Sequence, residues 1–155
     1  MVTLREIGEA DEDALFAMKR DPESVVMAAF TAADPDDRAA YDAHRERIRA
    51  DPRIIERAIL ADGRLVGSIA SFVIEGDREL TYWIDRAYWG RGIAGQALAA
   101  FLPLEPTRPL HARAASDNIG SLKVLQRAGF TIVGTDSGYA AARGAEIEET
   151  LLILS

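Results

Sequence analysis

The residues most suited to chemistry lie in one short run, Trp89-Gly90-Arg91-Gly92-Ile93-Ala94-Gly95. Two patterns overlap there. Gly90, Gly92 and Gly95 spell G-x-G-x-x-G, the spacing of a dinucleotide-binding turn. Counted from Trp89, the same residues form an x-x-x-G-x-G/A loop, which cradles a different phosphate-bearing cofactor. Either loop works by the same physics. Glycines let a phosphate approach the backbone, and a helix that follows offers free N–H groups and the positive end of its dipole. Arg91 and the nearby Arg86 add local positive charge. The competing interpretation is a glycine-rich strand-to-helix turn with no ligand.

Other chemistries are excluded by absence. The chain has no cysteine, hence no disulfide framework, no thiolate zinc site and no acyl-cysteine intermediate. Only two histidines occur. His44 lies in a charged helical stretch, where it should face solvent, and His111 lies in the strand-like LHARA. No G-x-S-x-G nucleophile elbow is present to join them, and no metal site is expected. The net charge of −7 disfavours general binding to nucleic acid or to an anionic membrane, and suits cationic substrates weakly. No apolar run is long enough to span a bilayer, and MVTLREIGEADED has acids where a signal peptide would be basic and then apolar. A cytoplasmic protein is expected.

The elements that must position the loop follow from periodicity. With 155 residues the chain fits one domain, 1–155, which buries about 70% of its unfolded surface. Residues 2–7 alternate as a strand. Asp11 caps a helix running to about Arg20, which Pro22 stops, and Asp34-Pro35 opens a second, polar helix that ends before Pro52. Runs 54–61 and 64–74 are joined by Asp62-Gly63, a tight-hairpin signal, and 79–84 follows Glu75-Gly76-Asp77 as a third strand. Ala94, Ala97, Leu98, Phe101 and Leu102 then form one helical stripe. A strand at 110–114 precedes a helix capped by Asp117 or Asn118, with Gly129 at its left-handed C-cap and Phe130 set to touch Leu125. Residues 147–154 form the last strand.

This order argues against a Rossmann turn. There the first glycine directly follows a strand inside a β-α-β unit, with an acid about 20 residues later. Asp117 supplies such an acid, but Asp85 to Trp89 separate the strand from Gly90 and everything upstream is hairpin-like. The glycines instead open a helix after an irregular loop.

YWIDRAYWGRGIAGQAL, followed by NIGSLKVLQRAGF, resembles the GNAT N-acetyltransferase superfamily. It looks closest to the RimJ/RimL-type branch of ribosomal-protein N-terminal acetyltransferases, sharpest over residues 79–133. The resemblance implies an α+β GNAT fold: a mixed, mostly antiparallel sheet of about six to seven strands, helices on both faces, and a splay between strands 4 and 5 that admits acetyl-CoA. By motif match, Ile84, Asp85 and Arg86, then Trp89, Gly90, Arg91, Gly92, Ile93, Ala94 and Gly95, would contact that co-substrate, with Asn118 near its pantetheine arm.

The implied reaction is direct attack of a primary amine on the thioester in a ternary complex. Many relatives carry a tyrosine general acid seven residues after the asparagine; Leu125 stands there. Ser121 matches the branch's N-x-x-S arrangement and would inherit the role. Glu79 stands where relatives carry a carboxylate near the amine, as a base directly or through water, or else as a solvent-facing strand residue. Thr81 replaces a frequent glycine, Tyr82 and Trp83 read first as packing residues on opposite strand faces, and Tyr139 reads as packing with an acceptor-pocket role as the alternative.

The acceptor, a protein N-terminus or a small-molecule amine, would be selected by residues 23–50 and 136–146, which carry no decodable motif. The branch tilts the expectation toward an α-amine, whose pKa of about 7.7–8.0 makes it easier to deprotonate than lysine. A non-catalytic acyl-CoA-binding module is the alternative function, and a homodimer is one option for assembly.

Overall fold

The computed structural model describes residues 1–155. Its centre is a run of hairpins. β2 (Ile55–Ala61) and β3 (Arg64–Ile74) turn through Asp62 and Gly63, at φ 48° and 82°. Positive φ at both central residues matches the right-handed strand twist, which is why Asp-Gly marks such turns. β3 passes into β4 (Asp77–Ile84), and β1 (Val2–Arg5) pairs with β2. β5 (Leu110–Ala115), β6 (Thr131–Ala140) and β7 (Ala145–Leu154) complete one seven-stranded sheet in the order β1-β2-β3-β4-β5-β7-β6. Every neighbouring pair is antiparallel except β4–β5. The α+β fold with a splay-bearing mixed sheet is therefore as expected.

Five α-helices pack on it. α1 (Glu12–Lys19) has acids in its first turn and Lys19 in its last. α2 (Pro22–Ala28) corrects the expectation that Pro22 only stops a helix. Proline fits the first helical position, and Asp21 accepts the Ser24 N–H at 3.0 Å as N-cap, so the chain breaks and restarts at once. α3 (Arg38–Ala50) begins later than Asp34-Pro35, because Asp37 is the residue whose carboxylate caps it, accepting the Ala40 N–H at 3.0 Å. α4 (Ile93–Phe101) and α5 (Ile119–Arg127) follow the predicted stripes. Gly129 ends α5 at φ 104°, and the Phe130 N–H returns to the Leu125 carbonyl at 3.1 Å.

Strand parity separates two layers. Leu110 and Ala112 of β5 join Leu80, Ile93, Leu98, Phe101, Leu125 and Leu152 in the main core beneath α4 and α5. Ala115, of opposite parity, packs with Ala29 and Ala140 behind α2. On β4, Tyr82 and Ile84 pack on the main core, while the Trp83 indole donates to the Met18 carbonyl of α1 at 3.3 Å. α3 is tied to this second layer by a buried ion cluster: Arg45, 2% exposed, bonds Glu12 of α1 and both carboxylate oxygens of Glu56 on β2. All three of its guanidinium nitrogens are paired, Nε with Glu12 and the other two with Glu56, so the buried charge is not stranded away from water.

One close approach fixes β4 in place. A Cβ on Gly67 would stand 2.0 Å from the Trp83 carbonyl oxygen, so only glycine lets β3 and β4 lie as they do.

Candidate active site at the splayed strands

β4 and β5 pair at a single position, Glu79 with His111. Past it, β4 runs on to Ile84 and β5 to Ala115 without further pairing, and the sheet opens into a cleft of about 670 Å³. Tyr82, Trp83 and Ile84 form one wall. The start of α4 and the first turns of α5 form the others, with Ser24, Met27 and Ala28 of α2 at the mouth.

The glycine loop meets this cleft as a cradle of unused donors. Gly90 and Gly92 have φ 76° and 73°, and Gly92 is the N-cap of α4 with no side chain satisfying the helix. None of the backbone N–H groups from Gly90 to Gly95 donates within the chain. A helix start leaves such groups over, and their dipoles add to favour an anion. Around Gly90 no atom lies within 4 Å of where a Cβ would stand, so the space before these amides is open. Buried Ile93 anchors the helix, while Ala94 and Gly95 line the cleft.

The neighbouring predicted residues divide into those facing the cleft and those bracing it. The Trp89 indole donates to the Ile84 carbonyl at 2.9 Å, which ties the loop to the end of β4. Asp85 caps the short turn Arg86–Tyr88 by accepting the Ala87 N–H at 3.0 Å. Arg86 turns away from the cleft and donates to Asp21 at 2.8 and 3.2 Å. Its guanidinium, with the Ser24 amide, holds the Asp21 carboxyl down at about 2. Arg91 stacks 5.1 Å over the Tyr88 ring and is not on the lining either. The cleft's cations come instead from α5, Lys123 and Arg127, one turn apart on the same face. Sequence reasoning passed over both, although their four-residue spacing was visible.

At the start of α5 the structure resolves what the Ser121 side chain does. Asn118 is the N-cap, its carbonyl oxygen accepting the Ser121 N–H at 3.3 Å. The Ser121 hydroxyl is therefore left out of the cap. It lies 2.7 Å from the Tyr82 hydroxyl across the cleft. Leu125 is in the main core. Arg143, in the turn between β6 and β7, bridges the mouth by donating to the Val26 carbonyl at 2.7 Å and to Asp117 at 2.7 and 3.0 Å. That pairing holds the Asp117 carboxyl below its ordinary range.

Glu79 sits on the other face of the sheet, at the closed end of the splay. It is 5% exposed, so it is not the solvent-facing strand residue that was one option. Its carboxylate accepts Arg113 Nε at 2.8 Å, and Arg113 also reaches Glu149 at 3.2 Å. Burial pushes the Glu149 carboxyl up; Arg113 opposes this, and Glu79 and Asp136 reinforce it. His111 lies 3.7 Å from Asp77 beside this group, and His44 faces solvent on α3 as expected. Tyr139 is 66% exposed on the edge strand β6, which suits neither packing nor pocket.

Comparison with known proteins decides the family. The profile described as Acetyltransferase (GNAT) domain matches residues 1–131. The chain belongs to this family. Among solved structures it is similar to Mycobacterium smegmatis RimJ in complex with CoA-disulfide, at 24% identity and TM-score 0.82, over 99% of this chain and 81% of that one. It is similar to the microcin C7 self-immunity acetyltransferase MccE in complex with acetyl-CoA and AMP, at 15% identity and TM-score 0.81, over 98% and 91% of the two chains. It is also similar to the ribosomal-protein-alanine N-acetyltransferase from Brucella melitensis, at 22% identity and TM-score 0.74, over 97% and 98%. A comparison with curated proteins returns no significant match. The GNAT domain makes the chain an N-acetyltransferase, and the residues present fit an acyl-CoA donor: six unspent amides for a pyrophosphate, apolar side chains on facing walls, Trp83 and Ile84 of β4 and Val124 of α5, for the pantetheine arm, and cations on α5.

Proposed function

We propose that this GNAT domain transfers the acetyl group of acetyl-CoA directly to a primary amine held in the same complex, with a protein or peptide α-amine as the acceptor. The observation that carries the proposal is the row of unspent N–H groups from Gly90 to Gly95 at the open end of the β4–β5 splay. The amides bind the pyrophosphate, and Asn118 and the end of β4 guide the pantetheine arm toward the closed end. The thioester then lies between Ser121 on one face and the Glu79–Arg113 group on the other.

The amine must lose one proton before it attacks. Glu79 takes it through water, since both Arg113 contacts fall on one of its carboxylate oxygens and leave the other free. As the carbon–sulfur bond breaks, its electron pair passes to sulfur and the Ser121 hydroxyl donates a hydrogen bond to the developing thiolate. The surplus proton on nitrogen finally neutralises that thiolate. The chain contains no cysteine, which accords with a direct route.

The α-amine preference is supported by similarity to RimJ and to a ribosomal-protein-alanine N-acetyltransferase. A solved spermidine N-acetyltransferase from Vibrio cholerae, at 13% identity and TM-score 0.75, marks the competing acceptor class. The use of acetyl-CoA favours a cytoplasmic setting.

An acceptor panel tests the proposal. Peptides with a free N-terminus, Nα-blocked lysine peptides, polyamines and small-molecule amines are incubated with acetyl-CoA, and products are mapped by mass spectrometry. Acetylation at peptide α-amines is expected. Turnover confined to polyamines or small amines contradicts the acceptor class. Tight acetyl-CoA binding with no product from any amine makes the chain a non-catalytic acyl-CoA-binding module.

A further inference from the structure

The Tyr82–Ser121 contact joins two residues 39 apart in sequence and belongs to neither a helix cap nor the strand ladder. Each hydroxyl has one hydrogen to donate and lone pairs to accept. At 2.7 Å, one of the two hydrogens is spent between the oxygens. The other has no acceptor within the chain, because neither hydroxyl makes any further hydrogen bond. Both residues line the cleft. One hydroxyl hydrogen is thus always left over, on a pair that borders the space where the thioester must lie.

We propose that Tyr82 is a positioning residue for acetyl transfer: its phenol donates to Ser121 Oγ and thereby turns the serine hydrogen toward the thioester sulfur. The inference rests on the role given to Ser121 above. A lone serine in the first turn of a helix is free to rotate and to bond locally, with its hydrogen divided among several acceptors. Tyr82 removes that freedom. Its ring packs on the main core, so the phenol oxygen is a fixed point from which the serine is oriented. Burial also raises the Tyr82 pKa above its ordinary value, which keeps the phenol protonated and donating at neutral pH. No proton leaves Tyr82 in this scheme. The arrangement explains how the domain works with Leu125 in its core where many relatives carry an acidic hydroxyl: the tyrosine is supplied by the strand and acts through the serine.

The test is a double-mutant cycle in single-turnover kinetics, with acetyl-CoA affinity and melting temperature measured on each variant. Tyr82→Phe keeps the ring and removes the oxygen. It should slow the chemical step roughly tenfold, the factor worth one neutral hydrogen bond, with acetyl-CoA affinity unchanged. Tyr82→Phe combined with Ser121→Ala should be no slower than Ser121→Ala alone, because the phenol acts only through the serine. A parent-like rate for Tyr82→Phe, or losses that multiply in the double variant, overturns the inference while leaving Ser121 in its role. A parent-like rate for Ser121→Ala instead removes the serine itself, and the inference with it. Ser121→Thr covers the case in which Tyr82→Phe misfolds. It keeps a hydroxyl facing Tyr82 and should recover most of the Ser121→Ala loss, and failure to recover any of it counts against the pair.

Discussion

Gly92→Glu separates a phosphate cradle from a mere turn. Gly92 is the α4 N-cap at φ 73°, a conformation that costs a residue with a Cβ about 1–2 kcal/mol. Gly92→Ala incurs that cost too, so the pair isolates charge. Space is not the obstacle in either variant, since the nearest atom to a Cβ at 92 is the end of Gln96 at 3.9 Å. The glutamate carboxylate would reach the space before the free amides. A charge about 6 Å from one phosphate charge, at an effective dielectric of about 20, is disfavoured by about 3 kcal/mol, or roughly a hundredfold in affinity. Calorimetric titration with acetyl-CoA should therefore show Gly92→Glu binding about a hundredfold more weakly than Gly92→Ala, although the two melt within a few degrees of each other. Added salt should narrow the gap, because the loop is exposed. Equal affinities for the two variants would refute the assignment of the pyrophosphate to Gly90–Gly95.

Three further outcomes are expected. Arg45→Met should destabilise the fold by about 3 kcal/mol in denaturant melts, because it leaves the half-buried Glu56 carboxylate without its partner while the buried Glu12 keeps only Tyr41 and Arg49. Asp21 has its folded pKa depressed from 3.8 to about 2, so its contribution is complete above the unfolded value and is lost as pH falls from 3.8 toward 2. Asp21→Asn should flatten stability across that window and nowhere above it. Glu79→Gln should lower kcat with acetyl-CoA affinity unchanged, as the residue lies outside the cofactor cleft. A parent-like kcat removes Glu79 as the base.

What was legible in the sequence was whatever is decided locally. Asp62-Gly63 specified a hairpin because few residues tolerate two consecutive positive φ values, and the stripe from Ala94 to Leu102 specified α4 by period alone. Asn118 could be read as a cap, as could the close of α5 at Gly129 and Phe130. α2 escaped because proline both ends and begins helices, and the Asp21 cap that decides between them lies only one residue earlier. β6 escaped because it is an edge strand, largely exposed, with Gly134 and Gly138 diluting any alternation; its partner β7 supplies the ladder that defines it.

The site shows the same division. The glycine loop and Asn118 sit where their motifs placed them, because backbone geometry is local. The side chains do not all follow. Arg86 and Arg91 read as phosphate-binding cations, yet Asp21 and Tyr88 claim them through contacts that no local pattern encodes. Strand parity does place Tyr82 on the α5 face beside Leu80 and Ile84, but the meeting with Ser121 depends on how far the sheet splays. Arg113 was missed for a similar reason. Its bond to Glu79 arises from a parallel pairing that holds at one register position only.

The central claim is that the free amides at the head of α4 hold the acyl donor. Hydrogen–deuterium exchange of the whole chain tests it most directly, with and without saturating acetyl-CoA and, in parallel, with NAD. The account predicts that acetyl-CoA slows exchange at the amides of residues 90–95 and at the start of α5, because N–H groups that now donate to nothing acquire phosphate acceptors, and that NAD leaves them unchanged. Exchange at residues 90–95 that acetyl-CoA does not slow, or that NAD slows equally, would contradict it.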